Sequence, residues 1–335
     1  MYERELLTRL AGQHDVRLLM TGRACDLAPA AKWTVGRLPI HRGMKWWLAP
    51  FVLLDGMRDE PRPDLLRVHS LKFIGPAALV MRRTWPGIPT VAHHHHIDDG
   101  WTGIERFVSD RMDRVIVGTE FARAQMRAKG WRTDHVRVVP YGVDSDRFSS
   151  RLIPVDRPHP VVLYFGGIKP RKNLDRLLDV WARLVTDMPE ALLTIAGGGV
   201  LLDHYRSVVR ERKIPNVSFL GYVEERDKPF IYKAADVFVF PSTLEGFGLP
   251  VLEAMASGLP CVVSDASDFR YWIDAPFSHP LNDETDVQSW VGLLTLLLRN
   301  ANLRAVLGAQ HRNRVKAWTW DACVEQTLKV YEEVV

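Results

Sequence analysis

Cysteine is scarce in this chain: three residues in 335, Cys25, Cys261 and Cys323, far apart in sequence. That excludes a disulfide-stapled secreted scaffold. No two of them have the close spacing of a zinc site, so they read as buried thiols. Long apolar runs are missing too. None reaches the ~18–20 residues that a membrane-spanning helix needs, and the first residues lack the charged-then-apolar pattern of a secretory leader. The expected location is the cytoplasm. Strong net charge is also absent, at +4 overall, and no nucleic-acid partner is expected. The balance is nevertheless uneven: residues 1–150 carry 23 Lys and Arg against 17 Asp and Glu, and the remainder 21 against 23. A basic first half suits an anionic membrane face or a phosphorylated acceptor, and ordinary surface charge would look the same.

What is present is the composition of a soluble globular protein, 47% hydrophobic and 25% charged, with enough length for two domains. Tyr2 to Leu10 has helical spacing before Gly12, and Val16–Met20 reads as a strand, so the chain opens on a helix. Residues 32–54 interleave Trp33, Trp46, Trp47, Phe51 and Leu53 with Lys32, Arg37, His41, Arg42 and Lys45. Such a segment fits a membrane interface, or a helix packed on a sheet. Strands are expected at Asp64–His69, Ile88–Ala92, Arg114–Thr119 and from Val136. The run His93-His-His-His96 follows the second of these. Strand alternation sends His93 and His95 to one side and His94 to the other, so they cannot all reach one ion, and no metal site is expected. Ser149 to Pro160, rich in Pro and charge, reads as a linker.

Beyond it the pattern repeats. Val161–Phe165, Leu192–Ala196, Val217–Leu220 and Asp236–Phe240 are short apolar runs, each leading into a loop: Gly166-Gly167, Gly197-Gly-Gly199, Gly221-Tyr222-Val223, and Pro241 to Gly248. Helices are expected over Leu174–Val185, from about Pro250 to Ser257, and over Trp320–Val335, with another strand at Cys261–Ser264. Strand, loop, helix, strand is the crossover unit of an open parallel sheet, whose ligands sit at the carboxyl ends of the strands. Glu245 lies in one such loop and Glu253, with seven residues between them, in the helix that follows. Gly166-Gly167 leaves room for close backbone approach, while Arg171 and Lys172 put fixed cations beside it, suited to a departing phosphate. A solvated basic turn would carry the same residues.

The stretch Pro241-Ser-x-x-Glu-Gly-Phe-Gly-Leu-Pro-x-Leu-Glu-Ala-Met-Ala-x-Gly-x-Pro-x-Val resembles the donor-site signature of retaining glycosyltransferases of family 4. The resemblance runs over residues 90–335 and is densest over 160–265. It implies an α/β GT-B fold: two Rossmann-like, doubly wound parallel-sheet domains facing a central cleft. Residues 1–149 would form the acceptor side, 160–319 the donor side, and helix 320–335 would return to the first domain. It implies sugar transfer from a UDP- or GDP-sugar to a hydroxyl of a glycan, a lipid-linked or a small-molecule acceptor. Configuration would be retained and no metal or other cofactor required. Peripheral contact at the inner membrane face is expected instead from the basic first half and the Trp-bearing segment. By resemblance Glu245 and His95 attend the reacting sugar, with His96 one residue off. Gly166, Gly167, Arg171, Lys172, Gly199, Phe247, Gly248 and Leu249 line the sugar and diphosphate. Tyr222 and Val223 face the base, and Glu253 holds the ribose. Three departures stand out. The usual first strand with its glycine-rich turn is not evident, which leaves a nucleotide-sugar-binding protein with little catalysis as the alternative. Gly167 also stands where the family often has Arg, and Arg270 about where it has Glu.

Overall fold

The computed structural model describes residues 2–21, 33–38, 61–69, 71–72, 74–95, 103–149 and 159–335. Two compact units result: Met1–Gly142 with Trp320–Val335, and Val143–Thr319. Residues 39–60, His96 with Asp98, and linker residues 150–158 lie outside the described residues, as do residues 22–32, where a turn after the first strand would fall.

In the first unit, the helix Tyr2–Leu10 precedes β1 (Val16–Thr21), which pairs in parallel with β2 (Trp33–Leu38). A strand at 33–38 replaces the interfacial or helical segment expected there. A parallel four-stranded sheet follows, β3 (Leu66–Val68), β4 (Thr90–His94), β5 (Arg114–Val117) and β6 (Val136–Val138), adjacent in chain order. The Asp113 carboxylate ties β4 to β5 by accepting from the Thr90 backbone amide at 2.8 Å. The helix Trp320–Glu332 belongs here: Asp321 accepts from Arg9 at 3.0 Å, and Glu333 pairs with Arg114 at 2.6 Å and Arg137 at 2.7 Å.

The second unit holds β7 (Val161–Phe165), β8 (Leu192–Ala196), β9 (Val217–Gly221), β10 (Val237–Phe240) and β11 (Cys261–Val263) in one parallel sheet. Across the sheet the order is β11-β10-β7-β8-β9. β7 and β10 are buried along their whole length, as central strands covered on both faces must be, whereas β9 alternates. On one side the helices Leu174–Asp187 and Glu284–Arg299 pack together. Their indoles satisfy their N–H groups inward: Trp181 donates to the Pro215 carbonyl at 3.0 Å and Trp290 to that of Pro280 at 2.9 Å. The short helix Ser145–Ser149, placed by sequence at the end of the first domain, packs in this unit instead. Its Phe148 is 2% exposed and meets Tyr232 edge-on at 5.6 Å.

Candidate donor site

The strand order sets where a ligand can sit. The chain moves outward through β7, β8 and β9, then crosses back to place β10 on the other side of β7. Loops leaving β7 and β10 therefore diverge, and the crevice between them is where open α/β sheets bind ligands. The β7 loop carries Gly166, Gly167, Arg171 and Lys172, and the β10 loop carries Glu245, Phe247 and Gly248.

Three loops are zipped by backbone hydrogen bonds. Gly166 donates to Ala196 at 2.9 Å, Ile168 to Gly198 at 2.8 Å, and Gly197 to Gly221 at 2.8 Å. This closeness is what demands glycine. A Cβ on Gly197, whose φ is 129°, would lie 1.9 Å from the Gly166 carbonyl oxygen, and one on Gly199 would lie 2.3 Å from that of Ile168. Gly197 and Gly199 thus let one loop pass another, a role the sequence pattern does not reveal.

The β10 loop is stitched to both neighbours. Thr243 donates to the Arg171 carbonyl at 2.8 Å, Arg171 Nη1 to the Leu244 carbonyl at 2.7 Å, and the Glu245 amide to Ala266 at 3.0 Å. At its centre Glu245 Oε1 accepts from Arg171 Nη1 at 2.5 Å and from Lys172 Nζ. Glu245 and Lys172 are each 6% exposed. The Lys172 ammonium also lies 4.4 Å from the Phe240 ring centroid, a cation–π contact. Burial lowers the Lys172 pKa, and Glu245 opposes that shift. The two cations and Glu245 therefore form one compact cluster. A helix does not start directly after Gly167: a 3-10 turn, Pro170–Lys172, and the left-handed Asn173 (φ 54°) come first.

Gly248, at φ 93°, begins the helix Leu249–Ala256 with no side-chain cap, so the first-turn amides keep their dipole toward the loop. A Cβ there would come within 2.5 Å of the Phe269 ring. Phe247 is 3% exposed and packs on Trp272 at 4.9 Å. Phe269 and Trp272 belong to the stretch that departs from the family pattern, and they brace this loop. Arg270 in that stretch lies over the Tyr271 ring.

Four residues into the same helix, Glu253 is 1% exposed. Lys228 Nζ donates to its Oε1 at 3.1 Å and Tyr232 Oη to its Oε2 at 2.7 Å. Neither partner was singled out in the sequence. Tyr222 is 74% exposed beyond β9, with Val223 half-buried beside it. In the first unit, His93 and His95 do share a side, with rings 5.9 Å apart, while His94 stacks on Trp131. His95 Nδ1 lies 2.5 Å from Tyr141 Oη, and His93 Nε2 lies 3.4 Å from Tyr331 Oη on the last helix. Among the described residues no cluster of His, Cys, Asp and Glu is arranged to hold a metal ion.

Two parallel-sheet units of this kind, with glycine-bound loops at a switch point, define a GT-B glycosyltransferase architecture. Solved structures agree: a sucrose-phosphate synthase from Thermosynechococcus elongatus superposes with a TM-score of 0.81 at 20% identity, covering 99% of this chain and 92% of that one. The Anabaena protein HepE, solved with UDP-glucose, gives 0.79 at 15% identity over 98% and 94%. Residues 147–314 match the family Glycosyl transferases group 1, and residues 2–147 match Glycosyltransferase Family 4. A phosphatidyl-myo-inositol mannosyltransferase of Mycobacterium tuberculosis is 34% identical over 307 residues, 88% of this chain and 77% of its own. An O-antigen chain mannosyltransferase B of Escherichia coli is 27% identical over 71% of this chain and 66% of its own. The chain belongs to glycosyltransferase family 4.

Proposed function

We propose that the protein moves a sugar from a UDP- or GDP-sugar to a hydroxyl of a glycan, lipid-linked or small-molecule acceptor, with retention of configuration. The observation that carries this reading is the convergence of Arg171, Lys172 and Glu245 at the point where the strand order reverses. The C1–O bond to the leaving phosphate breaks with its electron pair on the diphosphate, and a bond forms from the acceptor oxygen to the same face of C1. The acceptor proton passes to a phosphate oxygen of the leaving group. Arg171 and Lys172 offset the charge that develops on the diphosphate, the role a metal ion plays elsewhere. Glu245 orients the sugar hydroxyls, Glu253 accepts from the ribose, the Gly166–Gly167 and Gly248–Leu249 backbone borders the phosphates, and Tyr222 and Val223 flank the base. His95, oriented by Tyr141, attends the sugar or the acceptor. The exposed pair Ile104 and Phe107, beside Arg106 and Arg111, supports peripheral contact with an anionic membrane from the cytoplasmic side.

A thermal-shift screen against UDP-, GDP-, ADP- and dTDP-sugars tests the donor half. The relatives named mannosyltransferases put mannosyl donors first, and HepE puts uridine donors beside them. Saturation at a hundred times Kd stabilises by about 2.7 kcal/mol, a rise of several degrees. The rise should be specific to one nucleotide and absent in Glu253→Ala; no rise with any of the four removes the reading.

A further inference from the structure

Glu253 poses a physical problem. A carboxylate this deeply buried takes up a proton unless a positive charge is held against it. Burial pushes its pKa up, Lys228 and then Tyr232 pull it back, and Glu225 adds to the rise. Tyr232 brings no charge, because burial and Glu253 together raise its phenol well above the ordinary range. Cys261, the neighbouring thiol, is likewise kept neutral by burial. Lys228 is the cation in contact.

That lysine comes from a separate part of the chain. It opens the short helix Lys228–Lys233 after β9, while Glu253 rides the helix after β10. Its ammonium lies 5.5 Å from the ring centroid of Phe165 at the end of β7. Its side chain is only 12% exposed, and it is shared: Glu225 Oε1 sits 2.8 Å away, and Glu225 in turn faces Arg147 at 3.8 Å. Glu225 and Glu253 therefore divide one buried positive charge.

We propose that Lys228 is a positioning residue of the nucleotide subsite: it holds Glu253 as an oriented anion able to accept hydrogen bonds from the vicinal hydroxyls of a ribose, and Glu225 sets how much of its charge reaches Glu253. The inference rests on the reading of Glu253 as the ribose ligand. Losing Lys228 removes the cation that opposes the upward push of burial, so Glu253 protonates at higher pH than in the intact protein, and a protonated carboxyl loses acceptor capacity at the oxygen that carries the proton.

Calorimetric titration of the full chain with UDP and GDP and their 2′-deoxy counterparts, from pH 5.5 to 8.5, tests this. Glu253→Gln comes first. If the preference for ribose over 2′-deoxyribose survives in that variant, the ribose reading fails whatever Lys228 does. If the preference is lost, Lys228→Met decides the inference. It should keep most of the preference at pH 8.5 and lose it by about tenfold toward pH 6, since an adjacent opposite charge moves a carboxylate by ~1–3 pH units. Lys228→Arg should restore the wild-type profile. Glu225→Gln should move the edge the other way, to lower pH, which keeps the test alive if Lys228→Met melts too low to titrate. A Lys228→Met profile superimposable on wild type, or an upward shift in Glu225→Gln, overturns the proposal.

Discussion

Two buried histidines show how single side chains tie this fold to pH. His135 is 3% exposed; its Nε2 donates to the Ser109 carbonyl at 2.8 Å, and its Nδ1 accepts from Arg132 Nε at 3.0 Å. A second proton would therefore sit against a guanidinium. His311, 4% exposed, donates from Nδ1 to the Leu259 carbonyl at 2.8 Å. Burial is the leading cause that lowers both pKa values below the ordinary 6.5. The unfolded chain then binds more protons than the folded one below that value. The stability these groups contribute is fully present above about pH 7 and is lost as pH falls below ~6.5 toward their folded pKa values. Urea midpoints measured at pH 7.5, 6.5 and 5.5 should fall in that order. The double variant His135→Gln/His311→Gln should flatten the fall, and an unchanged slope in it would refute the assignment. Residue-scale chemistry at the donor site was only half legible in the sequence. Arg171, Lys172 and Glu245 stood out because they occupy motif positions. Lys228 did not, because its partner Glu253 is 25 residues away and the bond exists only through space.

Loops rather than strands carry the distinctive information at the level of elements. The buried strands were readable because sheets covered on both faces need unbroken apolar runs, as in Val161–Phe165 and Val237–Phe240. Trp33–Leu38 was not, since Gly36 and Arg37 interrupt any such run. The glycines ending β8 were visible as glycines, but their reason, collision with the β7 loop, depends on the register of neighbouring strands. That reason makes a paired prediction. Gly197→Ala forces a Cβ toward the Gly166 carbonyl at a positive φ and should cost at least ~1–3 kcal/mol. Gly292→Ala, at an exposed position inside the helix Glu284–Arg299 with open space around it, should instead gain about 0.5–1 kcal/mol. Denaturant melts of the two variants check the opposite signs; a neutral Gly197→Ala would sink the packing argument.

Charge and chain path are properties of the whole molecule. The excess of Lys and Arg lies in residues 1–150. There the helix Gly103–Ser109 shows Phe107 51% and Ile104 42% exposed, with the Arg111 guanidinium 3.6 Å above the Phe107 ring. Co-sedimentation with vesicles containing anionic lipid should be strong at low salt. It should weaken in Phe107→Ser and vanish by about 0.5 M salt, where the Debye length is only a few ångströms. Binding that ignores both salt and Phe107 would rule out this surface. Among the described residues no helix is long and apolar enough to cross a membrane. The chain path has a different consequence. The first unit includes Trp320–Val335, whose Glu333 clamps Arg114 and Arg137, yet those residues are translated after the whole of the second unit. On the ribosome the second unit has all its residues before the first has its final helix. At ordinary elongation rates the N-terminal sheet waits roughly 10–35 seconds for that helix. During that interval Arg114 and Arg137 are without the Glu333 that pairs with them in the finished fold.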